Sequence, residues 1–451
     1  MKRKLLEFLD KHNIVIKVCN LKLEAGGEGF NRYAAFEFPN ESLVITNLQK
    51  NGAELMYLTF FYNGIYKQVI VPNDLQVKKI VGKERIAALK KYEQYVINDL
   101  KNHLTHGFMI GSDPEIFVEN DKGEVIPAFD FLGSKKAPSI APKALPESPA
   151  VCGSNNLYWD GFQAEFTTSP QNCLSWQVDS IQRGLQGVYN EAKKHNKNAK
   201  LSSQTVMDIP FELIKNAKDE HVEFGCMPSE NAYGLKGVTM SGRDVAFRSA
   251  GGHLHFGIGK RTKEQYETIV KALDAVLGVA CVSLFAKYDN PKRREMYGLA
   301  GEYRTPPHGL EYRTLSNAWM FHPLMTNLVF DIGRKVVVMG DKGYSKHWKA
   351  TEKETIECIQ QCDVKKARKI LDRNKNLMLQ LIKAAYRTIN DAGAITIFNV
   401  FKNGMESVIK NPDDIEDNWN LKTNDWVSHC NVKGKNVLTA RSIIETGEKV
   451  A

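Results

Sequence analysis

The chain of 451 residues lacks several features that would assign it to a class at once. Its eight cysteines form no Cys-x-x-Cys pair, which favours reduced thiols over a disulfide framework. No apolar run reaches the ~18–20 residues that a membrane span needs, and the charged start MKRKLLEFLDKHN is unlike a signal peptide. GxxxxGK[ST] and GxGxxG are both missing, which argues against a P-loop or a Rossmann site. We therefore expect a cytoplasmic protein.

Charge of one sign is also not concentrated anywhere. The chain has 61 Lys and Arg against 52 Asp and Glu, a net charge of +9, and its densest basic runs, such as Lys193-Lys194, are short. This distribution indicates a solvated surface, with a weakly anionic partner as the alternative, and it does not favour nucleic acid. Hydrophobic residues make up 43% of the sequence, which is ordinary for a globular protein with two or three domains.

The pattern of apolar residues predicts an α+β protein in three parts. Residues 1–105 contain four strand-like runs (33–38, 42–46, 55–62 and 66–72) and a linking helix over 83–104. Residues 106–320 alternate strands with two helices, at 173–194 and 263–287, and 132–156 should form a surface loop or lid. Residues 321–451 should be mainly helical to about 390 and pack on the central part.

Four segments of the central part carry two polar residues at positions i and i+2 with apolar residues between or beside them. They are GSDPEIFV with Asp113 and Glu115, GFQAEFTT with Gln163 and Glu165, GGHLHFG with His253 and His255, and LEYRT with Glu311 and Arg313. Alternate side chains of a strand share a face, so each pair should lie together. Each pair alone also fits a half-solvated strand or buried histidines, but the combination indicates one polar face.

Such a face would repel itself unless cations lay among the acids. Carboxylates with an imidazole suit Mg²⁺ or Mn²⁺, and a set without cysteine argues against structural zinc. The stretch 290–313 adds Arg293, Arg294 and Arg304, whose guanidinium groups could clamp a phosphoryl group or a carboxylate. For Arg293 and Arg294 a solvated turn is the alternative. Gly251-Gly252 should allow close backbone approach, beside bound phosphates.

The order of these segments resembles that of a known family. GSDPEIFV is similar to the Gly-x-Glu-x-Glu strand of the glutamine synthetase superfamily, and GFQAEFTTSPQN to its second acidic strand. GGHLHFG resembles the Gly-x-His-x-His strand, while GEYRTPP and LEYRTLSNAW resemble the closing arginine turn and the Glu-x-Arg strand. Over about 107–320, the match is better to the phage-encoded carboxylate–amine ligases (amidoligases) than to glutamine synthetase itself.

The resemblance implies a glutamine synthetase-like catalytic domain, an antiparallel sheet backed by helices, and ATP with Mg²⁺ or Mn²⁺ as cofactors. The implied reaction forms an amide or isopeptide bond through an acyl phosphate. Its substrates would be a carboxylate and an amine, small or peptidic. A phage protein would act in the host cytoplasm, and a homo-oligomer is left open.

The resemblance also implies roles for individual residues. Glu115 and Glu165 would bind the metal near the substrate; Asp113, His253 and Glu311 the metal at the ATP phosphates; His255 the nucleotide; Arg304 the γ-phosphoryl group; and Arg313 the phosphoryl group or substrate carboxylate. Separately from the resemblance, the guanidinium groups of Arg293 and Arg294 are predicted to bind the nucleotide. Two positions depart from the superfamily. Asp113 stands where Glu is common, and Cys173 stands where glutamine synthetase has a third Glu, which leaves Gln163 or a water to complete the site.

Two other functional classes fit part of the pattern. A metal-dependent phosphoesterase or nuclease would also use clustered acids and histidines, but it leaves the Glu-x-Arg strand and the arginines without a role. A non-catalytic binding protein on the same scaffold would not need the complete set of acids. Turnover of Mg²⁺-ATP separates these classes from the ligase.

Overall fold

The computed structural model describes six N-terminal strands between residues 17 and 72, and then residues 108–140, 156–168, 174–223, 229–237, 241–295, 297–386 and 389–423. The chain divides into two compact units. One comprises Met1–Met109, Glu147–Val151 and Pro170–Cys173, and the other Ile110–Pro146, Cys152–Ser169 and Leu174–Ala451. The second unit contains all the residues predicted to form the site.

The first unit contains a six-stranded antiparallel sheet with the order β1-β3-β4-β5-β6, in which β2 also pairs with β3. Its strands are β1 Lys17–Val18, β2 Leu23–Glu24, β3 Asn31–Phe38, β4 Glu41–Lys50, β5 Ala53–Tyr62 and β6 Ile65–Pro72. The four long strands confirm those predicted. The residues between β4 and β5, and between β5 and β6, are Asn-Gly, the dipeptide most favourable for a two-residue hairpin turn. The helix predicted over 83–104 lies outside the described residues.

The second unit is built on two antiparallel sheets, one of five strands in the order β15-β18-β19-β17-β7 and one of four in the order β10-β11-β12-β8. Two strand pairs, β9 with β13 and β14 with β16, accompany them. The strands are β7 Ile110–Ser112, β8 Glu115–Ile116, β9 Val118–Glu119, β10 Ser139–Ile140, β11 Asn156–Asp160, β12 Gln163–Phe166, β13 Lys200–Leu201, β14 Val206–Asp208, β15 Glu230–Asn231, β16 Phe247–Ser249, β17 Leu254–Phe256, β18 Glu302–Arg304 and β19 Leu310–Tyr312.

Helices make up most of the rest of this unit. They are α1 Leu174–His195, α2 Phe211–Asn216, α3 Asp219–Val222, α4 Lys263–Leu273, α5 Val279–Leu284, α6 Pro323–Asp341, α7 Glu352–Gln360, α8 Val364–Arg373, α9 Lys375–Ala385, α10 Asp391–Asn403 and α11 Ile415–Asn418. Short 3-10 segments lie at Ala128–Asp130, Pro291–Glu295, Asn317–Met320, Tyr344–His347 and Met405–Ser407. The predicted helices at 173–194 and 263–287 are confirmed, the second with a π-helical turn, Asp274–Gly278, between α4 and α5.

The helices cover one face of the five-stranded sheet. Leu254, Phe256, Leu310 and Tyr312 are completely buried, and Gly333 of α6 lies against the Phe256 ring. Helix α4 packs on α6, and its start is fixed by a capping box of Thr262 and Gln265. Because side chains alternate along β17 and β19, the residues between these apolar ones point to the other face. The molecule is α+β, with antiparallel sheets and packed helices.

One predicted strand differs in an important way. The stretch 111–118 was expected to be continuous, with Asp113 and Glu115 on one face, but the structure ends β7 at Ser112 and starts β8 at Glu115 in the other sheet. Pro114 has no N–H to donate to a ladder, so the strand breaks there.

The prediction of a loop over 132–156 is also partly wrong, because β10 lies within this stretch and pairs with the start of β11. Within the described parts of the chain, no helix is long and apolar enough to span a membrane.

Candidate active site

A row of polar side chains crosses the five-stranded sheet on the face away from the helices. Arg304 lies opposite Glu311, Glu311 opposite His255, and His255 opposite Gly111. Directly opposed residues of an antiparallel sheet point their side chains to the same side, only a few ångströms apart. After Ser112 the chain leaves the sheet, and Asp113 places its Oδ1 2.9 Å from Nε2 of His255. Strand register therefore brings an arginine, two carboxylates and an imidazole together.

Three of these residues form a possible set of metal ligands. One donor atom each from Asp113, His255 and Glu311 lie within 4.8 Å of one another, and this is the one such group of three or more in the described part of the chain. His253 is adjacent, with its Nδ1 3.3 Å from Oδ1 of Asp113 and 3.6 Å from Oε1 of Glu311. The predicted division, with His253 on the metal and His255 on the nucleotide, stays a prediction, but the close group of donors contains His255 in place of His253, and both imidazoles reach Asp113.

Electrostatics keep the two carboxylates of this set ionised. Burial acts to raise the pKa of Asp113, but His255 and His253 outweigh it and hold that pKa well below its usual range. Burial also opposes ionisation of Glu311, yet His253 and Arg313 lower its pKa. The pKa of His255 is raised, because Asp113 overcomes the effect of burial. The set is a charged and strongly interacting cluster, of the kind that functional sites often contain.

The two arginines of the Glu-x-Arg region have different surroundings. The side chain of Arg313 is 1% exposed, donates to Glu311 through one terminal nitrogen and has its Nε 3.5 Å from Oε1 of Glu302. The side chain of Arg304 is 24% exposed, with a terminal nitrogen 3.5 Å from Oε1 of Glu311. Arg313 thus fixes Glu311 from inside the protein, whereas Arg304 is the guanidinium accessible to a ligand.

Arg293 and Arg294 are buried and hold the backbone that follows β19. Arg293 donates to the carbonyl oxygens of Thr314 and Leu315 at 2.8 and 2.7 Å. Arg294 donates to the Thr314 carbonyl and lies 3.2 Å from Asp289. These contacts occupy both guanidinium groups with protein atoms, so neither is the solvated turn that was the alternative. Their assignment to the nucleotide stays a prediction that the described contacts do not favour.

A second polar row crosses the four-stranded sheet, where Tyr158 lies opposite Glu165 and Glu165 opposite Glu115. Oε2 of Glu115 accepts hydrogen bonds from the Gly251 N–H and the Tyr297 hydroxyl, both at 2.7 Å. Oε1 of Glu165 accepts one from Tyr158 at 2.7 Å and lies 3.7 Å from Nζ of Lys135. Both predicted acids are therefore held by tyrosines.

Neighbouring acidic groups dominate the electrostatics of this second row. Burial raises the pKa of Glu165 well above its ordinary value, and Asp160 and Asp113 add to the effect. The pKa of Asp160 rises to about 6, through burial first and Glu115 next, with Lys135 opposing. Lys135 is the nearby cation, and its own pKa is raised because Glu165, Asp160 and Asp113 together outweigh burial.

Glycines near the histidines make room for protein atoms. A Cβ on Gly251 would lie 2.5 Å from Nε2 of His253 and 2.8 Å from the Tyr297 hydroxyl. A Cβ on Gly252 would lie 2.2 Å from Nε1 of Trp319. The close approach predicted for this pair is present, but it serves packing against these side chains, whereas space beside phosphates had been expected.

Five residues of the site were not predicted from the sequence: Lys135, Tyr158, Asp160, Tyr297 and His308. Asp160 could have been found, because Tyr158 and Asp160 repeat the i, i+2 polar pattern used for the other strands. Nε2 of His308 lies 3.0 Å from Nδ1 of His255, and its position depends on a loop after two prolines. Lys135 and Tyr297 arrive through long-range folding, for which no local pattern gives a signal.

Comparison with known families adds one finding. Residues 236–421 match the family described as phage phiEco32-like COOH.NH2 ligase-type 2. This confirms the family suspected from the motifs, although the matched range differs from the 107–320 of the resemblance: it includes β17, β18, β19 and the helices to 421, and it begins after Asp113, Glu115 and Glu165. The family's name supports a carboxylate–amine ligase activity. No curated protein matches the chain.

Proposed function

We propose, from the premise that residues 236–421 belong to the phage phiEco32-like COOH.NH2 ligase-type 2 family, that the chain is an ATP-dependent carboxylate–amine ligase. The observation that carries the proposal is the convergence of Asp113, His255 and Glu311 beside the accessible guanidinium of Arg304 on one sheet face. Such a face combines a cation site with a phosphate-binding group, as phosphoryl transfer requires. The full glutamine synthetase-like fold is part of the same proposal.

The residues present fit a divalent ion. Two ionised carboxylates and an imidazole are the donors that Mg²⁺ and Mn²⁺ accept. Nε2 of the buried His253 has no hydrogen-bond partner among the described residues, so the surroundings still have an unused donor or acceptor. Asp113, His255 and Glu311 would hold the ion, which would supply charge neutralisation at the nucleotide phosphates.

The chain's own residues would position the reacting groups. In the proposed reaction a substrate carboxylate oxygen attacks the γ-phosphorus of ATP, the bond to the β–γ bridging oxygen breaks, and ADP leaves. An amine then attacks the acyl carbon, inorganic phosphate leaves, and the amine loses a proton as the amide forms. Arg304 would bind the transferred phosphoryl group, and the buried Arg313 would keep Glu311 in place beside it.

The test is turnover by the full chain with Mg²⁺-ATP, a pool of carboxylates and hydroxylamine as the amine. ADP and hydroxamate should form together and only when both co-substrates are present, and mass spectrometry of the products would identify the acyl donor. Cleavage of phosphate esters that needs metal but no ATP would support a phosphoesterase or nuclease, and no turnover would support a binding protein.

A pair of arginine variants sharpens the test. Arg304→Met should lower ADP formation by about 10²–10³-fold, the loss typical when a group that stabilises developing charge is removed. Arg373→Met is the matched control, because Arg373 pairs with Glu354 on the helical side of the unit and should leave the rate unchanged. Equal rates in the two variants would contradict the role of Arg304.

A further inference from the structure

The family resemblance implies a second metal, held by Glu115 and Glu165, and with Lys135 in place the residues present do not fit one. We infer instead that the ammonium group of Lys135 occupies the cation position at this end of the site. The inference rests on the proposed function for its catalytic meaning, but the geometry that supports it is independent of the reaction.

Glu115 already uses one carboxylate oxygen completely. Its Oε2 accepts two hydrogen bonds of 2.7 Å, one from the Gly251 N–H and one from the Tyr297 hydroxyl. A carboxylate oxygen has two lone pairs, so this atom has none left for an ion. The Gly251 N–H cannot easily move away from Glu115, because the backbone N–H of Glu115 also donates to the Gly251 carbonyl at 2.9 Å.

Glu165 faces an ammonium group where a metal was expected. Nζ of Lys135 lies 3.7 Å from Oε1 of Glu165 and 4.8 Å from the centroid of the Tyr158 ring, whose hydroxyl donates to the same Oε1. A carboxylate combined with an aromatic face is a suitable environment for an ammonium ion. In the described residues, neither Glu115 nor Glu165 belongs to a group of three donors close enough to hold a metal.

Lys135 is also suited to act on a substrate. Its side chain is 73% exposed, so a substrate can reach it, and its charged end lies near Glu165. A lysine binds phosphate as a point charge and needs no fixed coordination geometry. Lys135 would therefore pair with Glu165 and contact the anionic acyl phosphate. The site would use one divalent ion and one lysine.

Counting bound Mn²⁺ tests this arrangement. The nucleotide-free full chain is titrated with Mn²⁺, and free Mn²⁺ is measured by its electron paramagnetic resonance signal. We expect one ion per chain in the wild type, lost in Asp113→Asn and kept in Glu165→Gln. Lys135→Met should bind a second ion at the acids that lose their cation, Lys135→Arg should bind one, and Glu165→Gln added to Lys135→Met should remove the second.

Other results overturn the inference. Two ions on the wild type, loss of an ion in Glu165→Gln, or the same count in Lys135→Met as in the wild type would each show that Lys135 does not replace a metal. No bound ion on the wild type would overturn the site at Asp113 as well. The proposed function is tested separately by ADP formation: its failure with the expected ion counts would leave the lysine assignment standing, and ligase turnover with two ions would do the reverse. Circular dichroism and thermal unfolding verify that each variant is folded.

Discussion

Asp113 shows how a single residue can serve two neighbours. One of its oxygens lies 2.9 Å from His255 and 3.3 Å from His253, so the carboxylate links both imidazoles to the Glu311 side of the site. It lies on the two-residue connection between β7 and β8, and its side-chain hydrogen bonds and ion pairs within the described residues are with His253 and His255. Its charge can therefore be removed without removing a ladder hydrogen bond.

The variant Asp113→Asn should separate function from stability. We expect ADP formation to fall by about 10²–10³-fold, because an ionised ligand next to developing phosphate charge becomes neutral. The free energy of unfolding in urea should fall only modestly, because the amide can still hydrogen-bond to the histidines although it loses their charge attraction. Asp121→Asn, in an exposed turn, is the control and should keep both properties. Retained turnover in Asp113→Asn would exclude this residue from the site.

Glu311→Gln should behave differently at the same scale. Arg313 is buried and donates to Glu311, so the neutral amide leaves its guanidinium with weaker compensation from Glu302 at 3.5 Å. We expect loss of turnover together with a decrease in stability of about 1–3 kcal/mol, the usual cost of an unsatisfied buried polar group. Urea unfolding measures the decrease. An unchanged unfolding midpoint would show that Glu302 alone satisfies Arg313.

At the level of strands and helices, local pattern predicted much of the site. Alternation in LEYRT predicted correctly that Glu311 and Arg313 meet, and the Asn-Gly pairs mark the N-terminal hairpins. Alternation was misleading for Asp113 and Glu115, since Pro114 divides the strand, a signal that the sequence contained. The local pattern could not predict contacts between distant segments. Tyr297 donates to Glu115, which lies 182 positions away in the sequence, and such contacts depend on the complete packing.

The π-helical turn Asp274–Gly278 contains a buried acid, Asp274, next to the five-stranded sheet. Asp274 is completely buried and accepts a hydrogen bond of 2.6 Å from the Tyr312 hydroxyl. Burial raises its pKa to about 7, while Tyr312, Thr314, the Gly301 backbone and Arg294 act to lower it. π-Helical turns often occur at functional sites. Asp274 is hydrogen-bonded to Tyr312, the neighbour of Glu311 in β19, so its ionisation is a useful probe of that strand.

The raised pKa of Asp274 predicts that the stability of the fold depends on pH. The pKa of Asp274 is higher in the folded chain than its ordinary 3.8, so the folded state favours the protonated form. Its contribution is fully present below about pH 4 and is lost as the pH rises to about 7, at most about 4 kcal/mol. Urea unfolding between these values should show this decline, and Asp274→Asn should remove it. An equal slope in the variant would assign the dependence to other groups.

Across the whole second unit, the C-terminal part is fastened to the sheet region by Trp419. This side chain is completely buried, and its Nε1 donates to the Met320 carbonyl at 2.7 Å. Gln182 and Gln186 of α1 donate to the carbonyls of Trp419 and Leu421 at 2.9 and 3.0 Å. The segment around 419 thus joins α1 to the residues that follow β19.

Trp419→Ala should therefore affect the unit as a whole. We expect a loss of about 3–5 kcal/mol in the free energy of unfolding, the range for large buried aromatic residues. Trp419→Phe should lose less, because it removes the hydrogen bond and keeps most of the packing. Phe211→Ala is the matched control, since Phe211 is 60% exposed and its truncation should cost below about 0.5 kcal/mol. Similar midpoints for the two alanine variants in urea would contradict the central position of Trp419.

The break at Pro114 has a consequence for how this site can vary. Gly111 is in register with His255 in one sheet, and Glu115 is in register with Glu165 in the other. The number of residues between Gly111 and Glu115 therefore sets which side chains of this segment face the site. One residue added to or removed from Ser112–Pro114 would leave each sheet able to form but would turn Asp113 or Glu115 away from its partners. A change in the length of this short connection would therefore displace the site even where every residue of the site is kept.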